Sequence, residues 1–353
     1  MSYRRNYGID FLRIITMMMV VTLHVLGHGG VLGRLERGSL RYMLAWFLET
    51  AAFCSVNTYA LISGYVGGNS KPKCSRLIML WLQVIFYTVL ITFIFTLQKP
   101  DLINAFAWKR AIFPVFTKQY WYITGYFGLY LILPYIHWII EKMTLRQAVF
   151  GGGIGFIAFS ILPSVLQTDP FNIAEGYSML WLCILYIVGG CMKKFDFFVN
   201  WDKRNLVLLY LGAVLVSWGS KLVFDVTKTK DSMLLLNYIS PTVVIMAIAL
   251  VALFSKIDIV NRKLLKLISI LSPATLGVYI IHEHFLIKEN FINGISINYA
   301  KASNSIMMLF EIIITVLGIY TCCTLIELIR IKFFKALHIE EKSRMLDEKI
   351  KSL

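Results

Sequence analysis

Three ionisable residues interrupt the first long apolar run of the chain, YGIDFLRIITMMMVVTLHVLGH from Tyr7 to His28: Asp10, Arg13 and His24. An ionisable side chain at bilayer depth is costly, so such residues face a bundle interior or a water-filled cavity and mark a functional site by default. Arg13 and His24 are eleven positions apart. At about 100° and about 1.5 Å per residue, that is three turns plus roughly 20°, so both side chains share one helix face about 16 Å apart. A guanidinium low on this stripe can grip a phosphate through parallel hydrogen bonds, or it can pair with Asp10 three residues before it. An imidazole high on the stripe can take the proton of a hydroxyl nucleophile near neutral pH, or it can be a core histidine hydrogen-bonded between helices.

Other polar residues inside apolar runs sort by depth into two layers. With the N-terminus cytosolic, Asp10, Arg13, Lys73 and Arg76 lie near the inner side; His24, His28, Glu49, His282, Glu283, His284 and Glu311 lie in the outer half. The inner layer forms an anion-binding floor, the outer an ionisable ceiling. Lys73 and Arg76, three apart at the start of a span, occupy neighbouring helical positions and serve either as a phosphate pair or as topology anchors. Glu49 and His282 have the depth to orient His24, since a base works better when a partner holds it; the alternative is a packing or lid role. His28, beside Gly29 and Gly30, sits where the helix ends and water has access, and His284 is similar. Glu283 is expected to point away from the face that carries His282, because adjacent helical residues do not share a face.

Four stretches stand in a fixed order: the Arg13–His24 pair, ALISGY (Ala60 to Tyr65), YWYITGYFGLYLILP (Tyr120 to Pro134) and LSPATLGVYIIH (Leu271 to His282). Together they resemble acyltransferase family three, the multi-spanning membrane enzymes that move acyl groups from acyl-CoA to cell-surface glycans. The resemblance implies a membrane O-acyltransferase, with acetyl the leading acyl group, acetyl-CoA the donor co-substrate and a glycan or lipid-linked saccharide the acceptor. It implies His24 as catalytic base and Arg13, Lys73 and Arg76 as the donor-binding residues, while Glu49 and His282 are candidate catalytic partners of His24 by their depth. No metal is implied. Trp121 and Tyr122 are either aromatic-belt anchors or the lining of a saccharide cleft. The family usually carries two arginines at the spacing of Lys73 and Arg76. Lys73 departs from that pattern and binds phosphate as a point charge without the bidentate fork. The separation of Arg13 and His24 is comparable with the reach of the pantetheine arm of CoA. The alternative of another class is a proton-coupled secondary transporter or exporter, with Arg13, His24, Glu49 and His282 as substrate site and relay. No two-fold repeat supports it, and thiol release from acyl-CoA separates the two readings.

The elements that must position these residues are membrane helices. Hydrophobic residues make up 58% of the 353, and they come in repeated runs of about twenty, the length a hydrocarbon core demands. The expected fold is all-α, a polytopic integral membrane bundle of about ten transmembrane helices over 7–28, 43–66, 77–97, 120–140, 147–166, 177–192, 205–224, 238–255, 267–287 and 304–329. The first run is too long for a cleaved leader and more of the same follows, so it is expected to stay in the membrane. Residues 1–329 form the expected acyltransferase-like domain and 330–353 a basic interfacial or solvated tail. Of the 35 Lys and Arg residues, 22 fall on the inner side against 12 outside, with Arg13 set aside. Arg4, Arg5 and Lys71 are among the inner ones. This bias favours both termini in the cytosol and a multi-pass protein of the cell membrane, although Arg34, Arg37 and Arg41 in the first outer loop run against it. The net charge of +15 is a membrane-surface charge drawn to anionic lipid and an anionic donor, not a nucleic-acid footprint. Cys54, Cys74, Cys183, Cys191, Cys322 and Cys323 show no ligand spacing, so neither a disulfide framework nor a zinc site is expected from them. Oligomeric state is not legible in the chain.

Overall fold

The computed structural model describes residues 5–68, 73–228, 233–301 and 304–351. Arg4 and Lys71, counted above as inner-side charges, lie outside the described residues. The helices are α1 (Tyr7–Leu26), α2 (Leu40–Ala52), α3 (Ser55–Gly67), α4 (Cys74–Gln98), α5 (Ala105–Ile112), α6 (Trp121–Leu131), α7 (Leu133–Lys142), α8 (Leu145–Phe156), α9 (Leu162–Leu166), α10 (Met179–Phe195), α11 (Lys203–Thr227), α12 (Pro241–Ser255), α13 (Arg262–Leu271), α14 (Thr275–His282), α15 (Phe285–Ile287), α16 (Ser305–Ala336) and α17 (Ile339–Lys351). The described residues contain no strand, as an all-α membrane bundle requires.

All ten expected segments are helical, but fewer than ten meet the length and apolarity of a straight span. Six do: Tyr7–Leu26, Cys74–Gln98, Leu145–Leu166, Lys203–Thr227, Arg262–His282 and Ser305–Ala336; the pair α6 and α7 makes a seventh if its 64° bend is counted within one span. The bend falls at Pro134 in the first turn of α7, where proline removes a backbone donor and crowds the preceding turn. The expected span 43–66 is broken between α2 and α3, where the Phe53 amide bonds back only three residues to Thr50. The helices α10 and α12 are short, at 17 and 15 residues. Between α8 and α9 the backbone widens into a π turn over Ile157–Ile161 ahead of Pro163, another case of a missing proline donor shifting the ladder.

The first helix is the hub. Asn6 caps it by accepting from the Ile9 amide, and Asp10 sits in its first turn, where a negative charge complements the helix dipole. It packs against α2, α3, α12, α13, α14 and α16, and 61% of its span is buried, against 17% for Leu145–Leu166 at the periphery. A second close contact fixes α3 on α10. A Cβ on Gly64 would overlap the Tyr186 backbone, and one on Gly189 would overlap Leu61; these small residues let two backbones touch. Asn57 of α3 clamps the same region, donating to the Tyr238 carbonyl at 2.7 Å and accepting from the Trp181 indole at 3.0 Å.

At one end of the bundle, the start of α1, the start of α4 and the end of α16 come together. There α17 folds back onto α4: Asp347 accepts from the Ser75 amide at 3.0 Å and from its hydroxyl, and the Ser343 hydroxyl donates to the Ser75 carbonyl at 3.1 Å. The tail expected to be interfacial or solvated is thus docked, and the expected boundary at 329/330 lies inside α16. At the opposite end, the loop after α1 is stitched to the loop after α15, with Gly294 donating to the His28 carbonyl and Ser296 to that of Gly29, each at 3.0 Å.

Candidate active site

Arg13 lies where two cavities meet. The inner one, of about 1110 Å3, is lined by Arg13, Lys73, Arg76, Arg330, Glu340 and Arg344 among others. Five cations and one acid give it a strong preference for anions. Lys73 is the N-cap of α4 and Arg76 lies in its first turn, so the positive end of the helix adds to their charge. The outer cavity, of about 310 Å3, is lined by His24, Tyr59, Trp121, Tyr122, Tyr126, Tyr238, Tyr279 and Glu283, again with Arg13. Ser63, Leu80, Tyr126 and Leu276 also border both. A basic vestibule therefore leads past Arg13 into an aromatic chamber that ends at His24.

Arg13 is also paired with Asp10 at 2.8 Å, the ion pair that its spacing allows, while it lines the cavity. Asp10 holds Arg5 as well and accepts from the Ser272 hydroxyl at 3.3 Å. The Tyr59 hydroxyl donates to the Arg13 carbonyl at 2.7 Å, pinning α3 to the same turn. Arg330 repeats the arrangement on α16. Its guanidinium bonds Glu327, which is fully buried and also accepts from the Gln83 amide at 3.0 Å and the Tyr87 hydroxyl at 2.6 Å, both on α4. Sequence reasoning placed Arg330 in the tail and passed over Glu327. The available signal was an acid three residues before an arginine in an apolar run, the same signal that Asp10 and Arg13 give.

At the outer end, His24 Nδ1 lies 2.8 Å from His282 Nε2, and His282 Nδ1 lies 2.6 Å from the Val278 carbonyl. A carbonyl only accepts, so His282 Nδ1 carries the proton and its Nε2 is an acceptor when the ring is neutral. His24 Nδ1 is then the donor, which leaves His24 Nε2 as the basic nitrogen of a residue that lines the chamber.

The structure brings together Arg13, Lys73 and Arg76 on one cavity, and His24, Trp121 and Tyr122 on the other, with His282 behind His24. It does not bring Glu49 to this group: Glu49 is buried on α2 and lines neither cavity. The acid beside His24 is Glu283, whose Oε1 lies 3.3 Å from His24 Nδ1 and 3.7 Å from His28 Nε2. This corrects the expectation that Glu283 points away. The helix α14 ends at His282 and Glu283 is its C-cap, so helical face geometry no longer governs where its side chain goes. His284 is likewise buried, not water-exposed, and caps α15 by accepting from the Leu286 amide. His28 is half exposed at the rim. Trp121 packs against Tyr177 and Tyr238, with ring centroids 4.6 and 5.9 Å away, so its face is part of the chamber wall and not a lipid-facing anchor. Tyr177 comes from the loop before α10.

The family model described as an acyltransferase domain, that of acyltransferase family three, matches residues 6–328. No curated protein and no solved structure matches the chain.

Proposed function

The chain belongs to acyltransferase family three, and from that premise, a multi-pass membrane acyltransferase, we propose that it is an O-acetyltransferase moving acetyl from cytosolic acetyl-CoA to a hydroxyl of a cell-surface or lipid-linked saccharide. The observation that carries this reading is the position of Arg13, on the wall of both the basic vestibule and the aromatic chamber. In this reading donor phosphates bind among Lys73, Arg76 and Arg330, and the inner end of the bundle faces the cytosol. The thioester passes Arg13 to reach His24, about 16 Å further along α1 at the helical rise. The saccharide enters the outer chamber and stacks on Trp121 and Tyr122, whose faces suit a sugar ring.

In this chamber His24 Nε2 removes the proton of the acceptor hydroxyl as its oxygen attacks the thioester carbonyl. The resulting imidazolium returns that proton to the departing CoA sulfur, so no proton is gained or lost over a turnover. His282 receives the Nδ1 proton of His24 in a hydrogen bond and holds the tautomer that leaves Nε2 basic. The aromatic walls of the chamber limit water, which would otherwise compete with the sugar hydroxyl.

The test is thiol release from acetyl-CoA by the detergent-purified chain, with a glycan extract as acceptor. Wild type should release thiol, and His24→Ala and Arg13→Ala should lose it while remaining folded. Retained release in a folded His24→Ala protein overturns the assignment of the base. A wild type that neither binds nor consumes acetyl-CoA overturns the donor.

A further inference from the structure

Glu283 presents an oxygen that acyl transfer does not use. Its Oε1 is buried and accepts no aligned hydrogen bond among the described residues, although His24 Nδ1 lies 3.3 Å away and His28 Nε2 3.7 Å away. A carboxylate hydrogen-bonded to an N–H closes to about 2.7–2.9 Å. The 3.3 Å separation matches, and the 3.7 Å one lies near, a different geometry. With metal–nitrogen and metal–oxygen bonds of about 2.0–2.2 Å, two ligand atoms at corners of a tetrahedron sit about 3.3–3.5 Å apart. One atom from each of His24, His28 and Glu283 lies within 4.8 Å of the others. The second carboxylate oxygen, Oε2, faces Lys288 Nζ at 3.4 Å, which leaves Oε1 as a single donor atom. The His28 side chain is 44% exposed, so an ion has a way in from the outer surface.

We infer that His24 Nδ1, His28 Nε2 and Glu283 Oε1 form a site for one divalent transition-metal ion of the zinc class, with solvent in the fourth position, and that filling it switches acyl transfer off. Two imidazoles and one carboxylate suit Zn2+ and Co2+, whereas Mg2+ and Ca2+ select all-oxygen sets. The ion takes the Nδ1 lone pair of His24, and the ring proton moves from Nδ1 to Nε2. The ring stays neutral, but Nε2 becomes a donor and can no longer accept the proton of the attacking hydroxyl. The hydrogen bond to His282 is given up in the same step. The charge of Lys288 opposes the ion and limits its affinity. The switch rests on His24 being the base; the binding does not.

The experiment uses the full chain in detergent, stripped with a chelator, with Co2+ as spectroscopic probe and Zn2+ as inhibitor. One Co2+ should bind per chain with the visible absorption of tetrahedral cobalt, and Zn2+ should displace it. Loss of a partner outside the ligand shell already costs about 10–100-fold in metal affinity, so His28→Ala, which deletes a ligand, should weaken Co2+ by at least about 100-fold. It should keep wild-type thiol release and become insensitive to Zn2+ that inhibits wild type. Lys288→Gln, which keeps a donor beside Oε2 without the charge, should bind Co2+ more tightly. Co2+ binding that is absent in wild type, or unchanged by His28→Ala, overturns the site. Stoichiometric, His28-dependent binding that leaves thiol release untouched overturns the switch and locates the failure in the role given to His24.

Discussion

At the inner end of the cavity, two arginines are each tied to an acid one turn before on the same helix, Asp10 to Arg13 and Glu327 to Arg330. At the outer end the imidazole pair joins His24 to His282, 258 positions away. The inner pairs need only a helix to form. The outer pair exists only when α1 and α14 are docked, and the tautomer that makes His24 basic is set by a carbonyl on the second helix. Charge storage at the floor is therefore local and robust, whereas reactivity at the ceiling depends on tertiary structure.

The sharpest way to break this contrast is to separate turnover from donor binding. His24→Ala should lower turnover in thiol release by about 10²–10⁴-fold, the contribution of a positioned base, with the KM for acetyl-CoA close to wild type. A donor KM that rises in proportion would mean that the two ends are not distinct. The next effect falls on stability. Glu327→Ala leaves Arg330, Gln83 and Tyr87 without their shared acceptor and should destabilise by about 3 kcal/mol, the lower end for a broken buried ion pair because Arg330 borders the cavity. Unfolding in detergent checks it. Asp10→Ala should cost less, since the Arg13 side chain is 29% exposed against 8% for Arg330; the reverse order would refute the parallel between the pairs. Arg76→Ala should raise the KM for acetyl-CoA by about tenfold or more with kcat little changed, the worth of a charge-assisted hydrogen bond, as measured by initial rates at fixed acceptor. The smallest effect belongs to Lys73→Arg, which adds a fork where there is a point charge and should lower that KM by about threefold.

The stripe of α1 was legible in the sequence because Arg13 and His24 lie within one helix, whose angle per residue puts them on one face; Lys73, read as sharing a helix with Arg76, is instead the extended N-cap of α4. Three other residues were misread near helix ends, and one of them, His284, is the buried N-cap of α15. Glu283 follows the last residue of α14, where the helical ruler stops, and its side chain turns toward His24 instead of away. Arg330 stands where hydropathy falls, so it reads as tail, yet α16 runs on to Ala336 and buries it. The pairing of His24 with His282, and the separation of Glu49 from both, are matters of which helices touch, and depth alone does not specify them. The span count suffered from a related cause: a run of apolar residues records enough hydrophobicity to cross, but not the breaks at Phe53 and Pro134 that divide it.

The docking of α17 on α4 gives the basic vestibule a wall that is made long after α4. Asp347 follows Ser75, its partner, by 272 residues, an interval on the order of 15–50 s at translation rates of about 5–20 residues per second. Through that interval α1 and α4 are already inserted while Glu340 and Arg344 are still to come. A nascent chain therefore carries Arg13, Lys73 and Arg76 beside an open vestibule, and the basic cavity closes only once α17 has been made.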